Sequence, residues 1–154
     1  MKKIKLAQAA LLIWAVTIGA FIWFYARGYT PEDVDDRTVI VLHPEERELV
    51  LAEMRGLLAA TQGILEGASQ NDIPRIIEAA RTAGMVGMAD VNMALMDKLP
   101  PEFKAVGMGI HHDMDDIAKA AQDGKTTAEL LKMTSTTLTK CVACHAVWQI
   151  KSGS

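Results

Sequence analysis

A Cys-x-x-Cys-His run, Cys141-Val142-Ala143-Cys144-His145, lies close to the C-terminus of this 154-residue chain. It limits what the chain can fold into more than any other feature does. Thiols three positions apart lie about one turn apart on a helix of 3.6 residues per turn. Both can therefore add to the two vinyl groups on one edge of a porphyrin while the adjacent imidazole reaches the iron from one face. This is the spacing of covalent haem attachment. A redox dithiol is instead expected beside a βαβ pattern, and a zinc site requires a second pair of ligands. The chain offers neither: these are its only 2 cysteines, and His43, His111 and His112 form no matching pair. One covalent haem c is the expected cofactor, held by Cys141 and Cys144, with His145 as an iron ligand.

Composition narrows the fold. The length allows one domain, half of the residues are apolar, and the aromatics are limited to 3 Trp, 2 Tyr and 3 Phe, which favours helices built from small residues over a β-sandwich. Two cysteines consumed by thioethers leave none for a disulfide. Attachment of this kind normally takes place outside the cytoplasmic membrane, so the chain is expected to be exported.

The N-terminus supplies the means. Met1-Lys2-Lys3-Ile4-Lys5 is basic, and Leu6 to Ala26 follows as 21 residues in which only Gln8 and Thr17 are polar, enough to cross a hydrocarbon core of about 30 Å. A cleaved signal peptide has a shorter apolar core and small residues at its cleavage site, whereas this segment ends Phe21-Ile22-Trp23-Phe24-Tyr25-Ala26. Residues 1–26 are expected to be a cytoplasmic tip and an uncleaved transmembrane anchor. Trp23 and Tyr25 suit an interfacial belt, and three lysines before the span against Arg27 after it put the N-terminus in the cytoplasm. The expected location is the bacterial inner membrane, single-pass, with the remainder in the periplasm.

Residues 27–43 read as a solvated linker, with a Thr30-Pro31 step and Glu32, Asp33, Asp35 and Asp36. The apolar string Thr38-Val39-Ile40-Val41-Leu42 interrupts it. As a lone strand it is not stable, and it is expected to dock either on the domain or on a partner.

From residue 44 to 154 the pattern is helical. Pro44 with Glu45 and Glu46 starts a helix whose Val50, Met54, Leu57, Leu58, Thr61, Ile64 and Leu65 recur at spacings of three and four. It is expected to stop between Gly67 and Asn71. A second helix starts at Asp72 and continues through the methionine-rich stretch Met85 to Met96. Such methionines are soft ligands for Cu(I) but more often serve as adaptable core. The third helix runs from Pro101 to Gln122 with Phe103, Val106, Ile110, Met114, Ile117 and Ala121 on one side. Asp123-Gly124-Lys125 is a turn, and Thr126 or Thr127 caps a fourth helix with an inward stripe Leu131, Thr134, Leu138, Cys141, His145 and Trp148. The expected fold is all-α, an antiparallel four-helix bundle with one N-terminal transmembrane helix. The glycines Gly84, Gly87, Gly107 and Gly109 are expected at close helix approaches.

Four helices with Cys-x-x-Cys-His on the last resemble the cytochrome c-prime superfamily over roughly Glu45 to Ile150. Glu53-Met54-Arg55-Gly56-Leu57-Leu58 is similar to the ligand-bearing first helix of its six-coordinate, low-spin group. Pro101-Glu102-Phe103, Met114-Asp115-Asp116-Ile117 and Asp123-Gly124-Lys125 resemble that group's third helix. The resemblance implies that Met54 is the iron ligand opposite His145 and that Phe103 packs the haem pocket. His43, His111 and His112 are the rival ligands. Of these, His111 and His112 are expected at the surface or the haem edge, and His43 at a boundary.

Iron held by an imidazole and a thioether has no open site, which suits an electron carrier rather than an enzyme. No serine–histidine–acid set, phosphate-binding loop or paired catalytic carboxylates stand in a convincing context. Residues 27–154 hold 13 Lys and Arg against 19 Asp and Glu, a formal charge of −6. This excludes nucleic acid as a partner and steers the domain toward a basic docking face on another cytochrome or on a respiratory or photosynthetic membrane complex. A five-coordinate gas-binding cytochrome and a haem-bearing accessory subunit are the alternative readings. Four-helix cytochromes often dimerise, and the sequence leaves a homodimer or membership of a larger complex open.

Overall fold

The structure is a computed structural model that describes residues 2–27, 35–88 and 93–153. The chain is mostly helical and divides into two compact units, Met1–Asp36 and Arg37–Ser154. The first holds helix α1, Lys2–Arg27. Within it, Ala7–Tyr25 is long and apolar enough to cross a membrane, and its large side chains from Leu11 to Tyr25 are exposed. The Thr30-Pro31 step and the Ala89–Asn92 part of the methionine-rich stretch lie outside the described residues.

The second unit follows the order β1 (Thr38–Leu42), α2 (Pro44–Gln70), α3 (Ile73–Thr82), a 3₁₀ turn (Met85–Met88), α4 (Met93–Lys98), α5 (Pro101–Gln122), α6 (Thr127–Val147) and β2 (Trp148–Ser152). Local chemistry sets most of these limits. Proline stands in the first turn of α2, α3 and α5, where the missing N–H is no loss. The Asp72 carboxylate accepts from Arg75 N at 3.0 Å to cap α3. Asn71 closes α2 in the left-handed conformation at φ 53°, and Gly124 turns the chain between α5 and α6 at φ 82°.

Residues of α2, α3, α5 and α6 share one core, centred on Ile64, Ile76, Met114, Ile117 and Leu130. Its contact line on α2 differs from the expected stripe. A side chain at Gly63 would bring its Cβ 2.7 Å from the Ala79 Cβ, and one at Gly67 would meet Ile76 Cγ1 at 2.8 Å, so α3 lies almost against the α2 backbone. The small residues Ala60, Gly63, Gly67 and Ala68 take the core together with Ile64. Leu58 and Leu65, expected inward, are 69% and 47% exposed.

The expected second helix is also shorter than its periodicity suggested. It ends at Thr82 because α5 captures the backbone beyond it: Met85 N donates to Asp115 Oδ2 at 3.0 Å, and a side chain at Gly84 would collide with that same carboxylate. Gly107 and Gly109, by contrast, do not mark close helix approaches. Among the described residues nothing lies within 4 Å of a Cβ built on Gly107, and only Lys140 Nζ, at 3.7 Å, approaches one on Gly109.

Thr38–Leu42 docks on its own domain. β1 pairs in parallel with β2, in register from Thr38 opposite Trp148 to Leu42 opposite Ser152. Parallel strands need a long crossover, and here α2 through α6 supply it. The pair is held by burial of Ile40 and Leu42 and by Gly153 N donating to Leu42 O at 2.8 Å. Trp148 therefore belongs to a strand and not to the end of the last helix.

Candidate functional site

α6 carries the Cys-x-x-Cys-His motif in its last two turns. At its start, the Thr126 hydroxyl accepts from Glu129 N at 3.3 Å, while Glu129 Oε2 accepts from Thr126 N at 2.9 Å. This reciprocal cap sets the helix register. At its end, Trp148 N donates to Cys144 O and the Arg37 guanidinium donates to His145 O at 3.1 Å. Gln149 Nε2 returns a 3.2 Å bond to Arg37 O. The backbone of the motif is thus fastened to the residue that enters β1.

Around the motif lies a second apolar cluster of buried Ile40, Leu42, Leu95, Leu99 and Phe103. Val50, Met54, Met96, Cys144, Trp148 and Ile150 pack against it. Phe103 meets Trp148 edge-on, with ring centroids 6.1 Å apart and planes at 82°. Met54, Phe103 and Cys144 come from α2, α5 and α6, more than forty positions apart in each step, and the fold gathers them at one apolar centre.

Cys141 and Cys144 are free thiols, each partly buried. Burial pushes both up from the ordinary thiol range, with the Asp113 carboxylate adding to the rise at Cys141 and the first cysteine adding to it at the second. They also sit at a helix C-terminus, where the dipole disfavours a thiolate. Redox dithiols work the other way, with a depressed pKa at a helix N-terminus. Among the described residues no three His, Cys, Asp or Glu side chains gather as a metal-binding group.

His145 was expected on the inward stripe of its helix, and it is exposed. The buried line of α6 runs through Leu130, Thr134 and Thr137, and at about 100° per residue it continues through Cys141. One flank of that line faces α5: Thr137 Oγ1 donates to Asp113 Oδ2 at 3.1 Å, and Lys140 Nζ lies 2.6 Å from the same oxygen. Leu131, Leu138, Val142 and His145 occupy the other flank, and all four are exposed. Leu58 and Leu65 occupy the flank of α2 away from α3. The seam between α2 and α6 therefore has an apolar lining that the core does not use.

The three other histidines separate. His43 is exposed at the start of α2, where its N–H donates to Glu46 Oε2 at 3.2 Å. His112 is exposed, whereas His111, also expected near the surface, is only 3% exposed. His111 Nδ1 lies 2.8 Å from Ala83 O and Nε2 lies 3.5 Å from Glu53 Oε1. The turn that buries it is the early end of α3, a long-range event with no local signature. Arg37 and Ile150 escaped the sequence reading, and Trp148 was expected on the helix rather than the strand, although the alternation that starts Trp148-Gln149-Ile150 is itself a strand signal.

No family model, curated protein or solved structure matches this chain.

Proposed function

We propose that the chain is a membrane-anchored periplasmic c-type cytochrome resembling the six-coordinate members of the cytochrome c-prime superfamily. In this reading α2, α3, α5 and α6 form an antiparallel four-helix bundle. Its job is to carry single electrons to or from a membrane redox complex. The observation that carries the reading is the packing of Met54 and Cys144, from different helices, against one apolar cluster.

The donor set fits a covalent haem. Two thiols lie a turn apart, an imidazole stands next to them on the seam flank, and a thioether rises from the facing helix beside exposed leucines. When bound, haem iron with imidazole and thioether ligands exchanges one electron without an open coordination position. The chain's own residues do the rest. Cys141 and Cys144 would anchor the group, His145 and Met54 would ligate its iron, and Phe103 and Trp148 would keep water from its apolar edge. Arg37 holds the backbone at His145.

Further support comes from the two ends of the helix pair. Thr127 Oγ1 lies 3.5 Å from Asn71 Oδ1 where α2 ends and α6 begins. At the opposite end Arg47 Nε lies 3.4 Å from Ile150 O, as an antiparallel pair requires. The lysines before Ala7–Tyr25 favour a cytoplasmic N-terminus. The acidic domain favours a basic partner.

The test is the optical spectrum of the purified full-length protein in both oxidation states, beside that of the Cys141→Ala, Cys144→Ala double variant. The expected result is a low-spin spectrum whose haem stays with the protein after denaturation in acidic organic solvent, and no haem retained by the double variant. Covalent haem in the double variant would remove the basis of the proposal. A high-spin spectrum from the unmodified protein would favour the gas-binding alternative.

A further inference from the structure

The last carbonyls of a helix lack partners within it, and the motif lies in the last two turns of α6. Trp148 N closes on Cys144 O. His145 O is the next carbonyl along, and Arg37 Nη1 donates to it at 3.1 Å. Arg37 is held there from its own side as well. Gln149 Nε2 donates to Arg37 O at 3.2 Å, and the following residue, Thr38, opens β1 opposite Trp148 of β2.

A guanidinium in a protein stays charged. A fixed positive charge therefore stands against the backbone of the residue whose imidazole ligates the iron in the haem reading. On the other flank of α6, Lys140 Nζ lies 2.6 Å from Asp113 Oδ2, and the fields of that pair largely cancel at a distance. Asp35 and Asp36 precede Arg37 in the chain and stay in place when it is replaced, so a neutral residue at position 37 lowers the local charge by one. Reduction of ferric to ferrous iron also lowers the charge of the centre by one, so a nearby cation favours the ferrous form.

We infer that Arg37, pinned at His145 O, raises the midpoint potential of the haem through its charge. The inference rests on the haem reading and adds to it the residue, outside the helices, that sets how readily the carrier takes up its electron.

Redox titration of the full-length protein at low ionic strength, where screening is weakest, tests it. The ratio of ferrous to ferric haem is read from the optical spectrum at the midpoint potential of the unmodified protein. Arg37→Gln keeps an N–H donor and loses the charge, and it should lower the ratio about three-fold or more with the form of the spectrum unchanged. Arg37→Lys keeps the charge and should stay within about two-fold of the unmodified protein. Lys119→Gln removes the same charge from the acidic domain at the far end of α5, where Lys119 pairs with Asp123, and should leave the ratio in place. If Arg37→Gln loses its haem or its spectral form, Gln149→Glu, which sets a carboxylate beside Arg37, should lower the ratio in the same way. An unmodified protein without covalent haem would overturn the haem reading and this role with it. With covalent haem present, no fall in Arg37→Gln or its substitute, an equal fall in Arg37→Lys, or an equal fall in Lys119→Gln would overturn the role of Arg37 alone.

Discussion

The Arg37 guanidinium donates a 3.1 Å hydrogen bond to the carbonyl oxygen of His145. The last carbonyls of a helix have no partner within it, and a cation at that end also complements the helix dipole. The residue that leads into β1 thus completes the helix that carries the motif. Parallel pairing of β1 with β2 then continues the clasp to Ser152.

That clasp should be a measurable part of the fold. Leu42 is 2% exposed beneath it, and Leu42→Ala is expected to cost about 2–5 kcal/mol, the range for a buried leucine. Arg37→Ala, which removes the side-chain hydrogen bond to His145 O at a partly exposed site, should cost at least about 0.5–1.5 kcal/mol. Urea unfolding checks both. A Leu42→Ala midpoint equal to that of the unmodified protein would mean that β1 contributes nothing to stability.

Acid should loosen the start of α6. The N–H of Thr126 comes first among the groups that hold the Glu129 carboxyl down at about 2 from an ordinary 4.5, followed by the Thr126 hydroxyl and Lys125. A folded-state pKa below the unfolded one contributes stability above pH 4.5 that is lost as pH falls toward 2. Glu129→Gln is expected to lower stability at neutral pH and to flatten that acid limb. Glu46, whose carboxyl Lys98 also holds below its usual range, contributes a slope of the same sign. Unfolding midpoints across the acid range decide the matter, and identical slopes with and without Glu129 would defeat it.

Local chemistry explains what the sequence made legible. The start of α2 at Pro44, the span Pro101–Gln122, the Asn71 and Gly124 turns and the Thr126 cap all depend on residues within a few positions of one another. The misread features depend on distant partners. α3 stops just before Asp115 of α5 takes the N–H of Met85, β2 exists because β1 lies beside it, and the buried line of α2 was chosen by Ala79 and Ile76 across Gly63 and Gly67. At the candidate site, Cys141, Cys144 and His145 were legible as a motif. The approach of half-exposed Glu53 to buried His111 was not, because the fold alone creates it.

The topology of Met1–Asp36 gives a prediction of its own. A reporter active only in the periplasm, fused after Ser154, should be active in cells, and the mature protein should keep Met1 to Ala26 and fractionate with membranes. N-terminal sequencing that begins near Arg27 in a soluble form would instead identify a cleaved signal peptide.

Met54 decides between carrier and gas-binder. Met54→Ala is expected to turn a low-spin, carbon-monoxide-resistant haem into a high-spin one that binds carbon monoxide. It should also lower the midpoint potential, since the thioether favours ferrous iron. A core methionine supplies the comparison: Met114 is 2% exposed in the shared core, and Met114→Ala should cost about 2–5 kcal/mol as a cavity does while the low-spin bands persist in the folded fraction. Spectra, carbon monoxide titration and urea unfolding of both variants separate ligation from packing. If Met54→Ala loses stability but keeps its low-spin bands, the ligand is another side chain. His43 and His112 then lead, since both are exposed, while the Nδ1 of His111 is engaged with Ala83 O and its Nε2 faces Glu53.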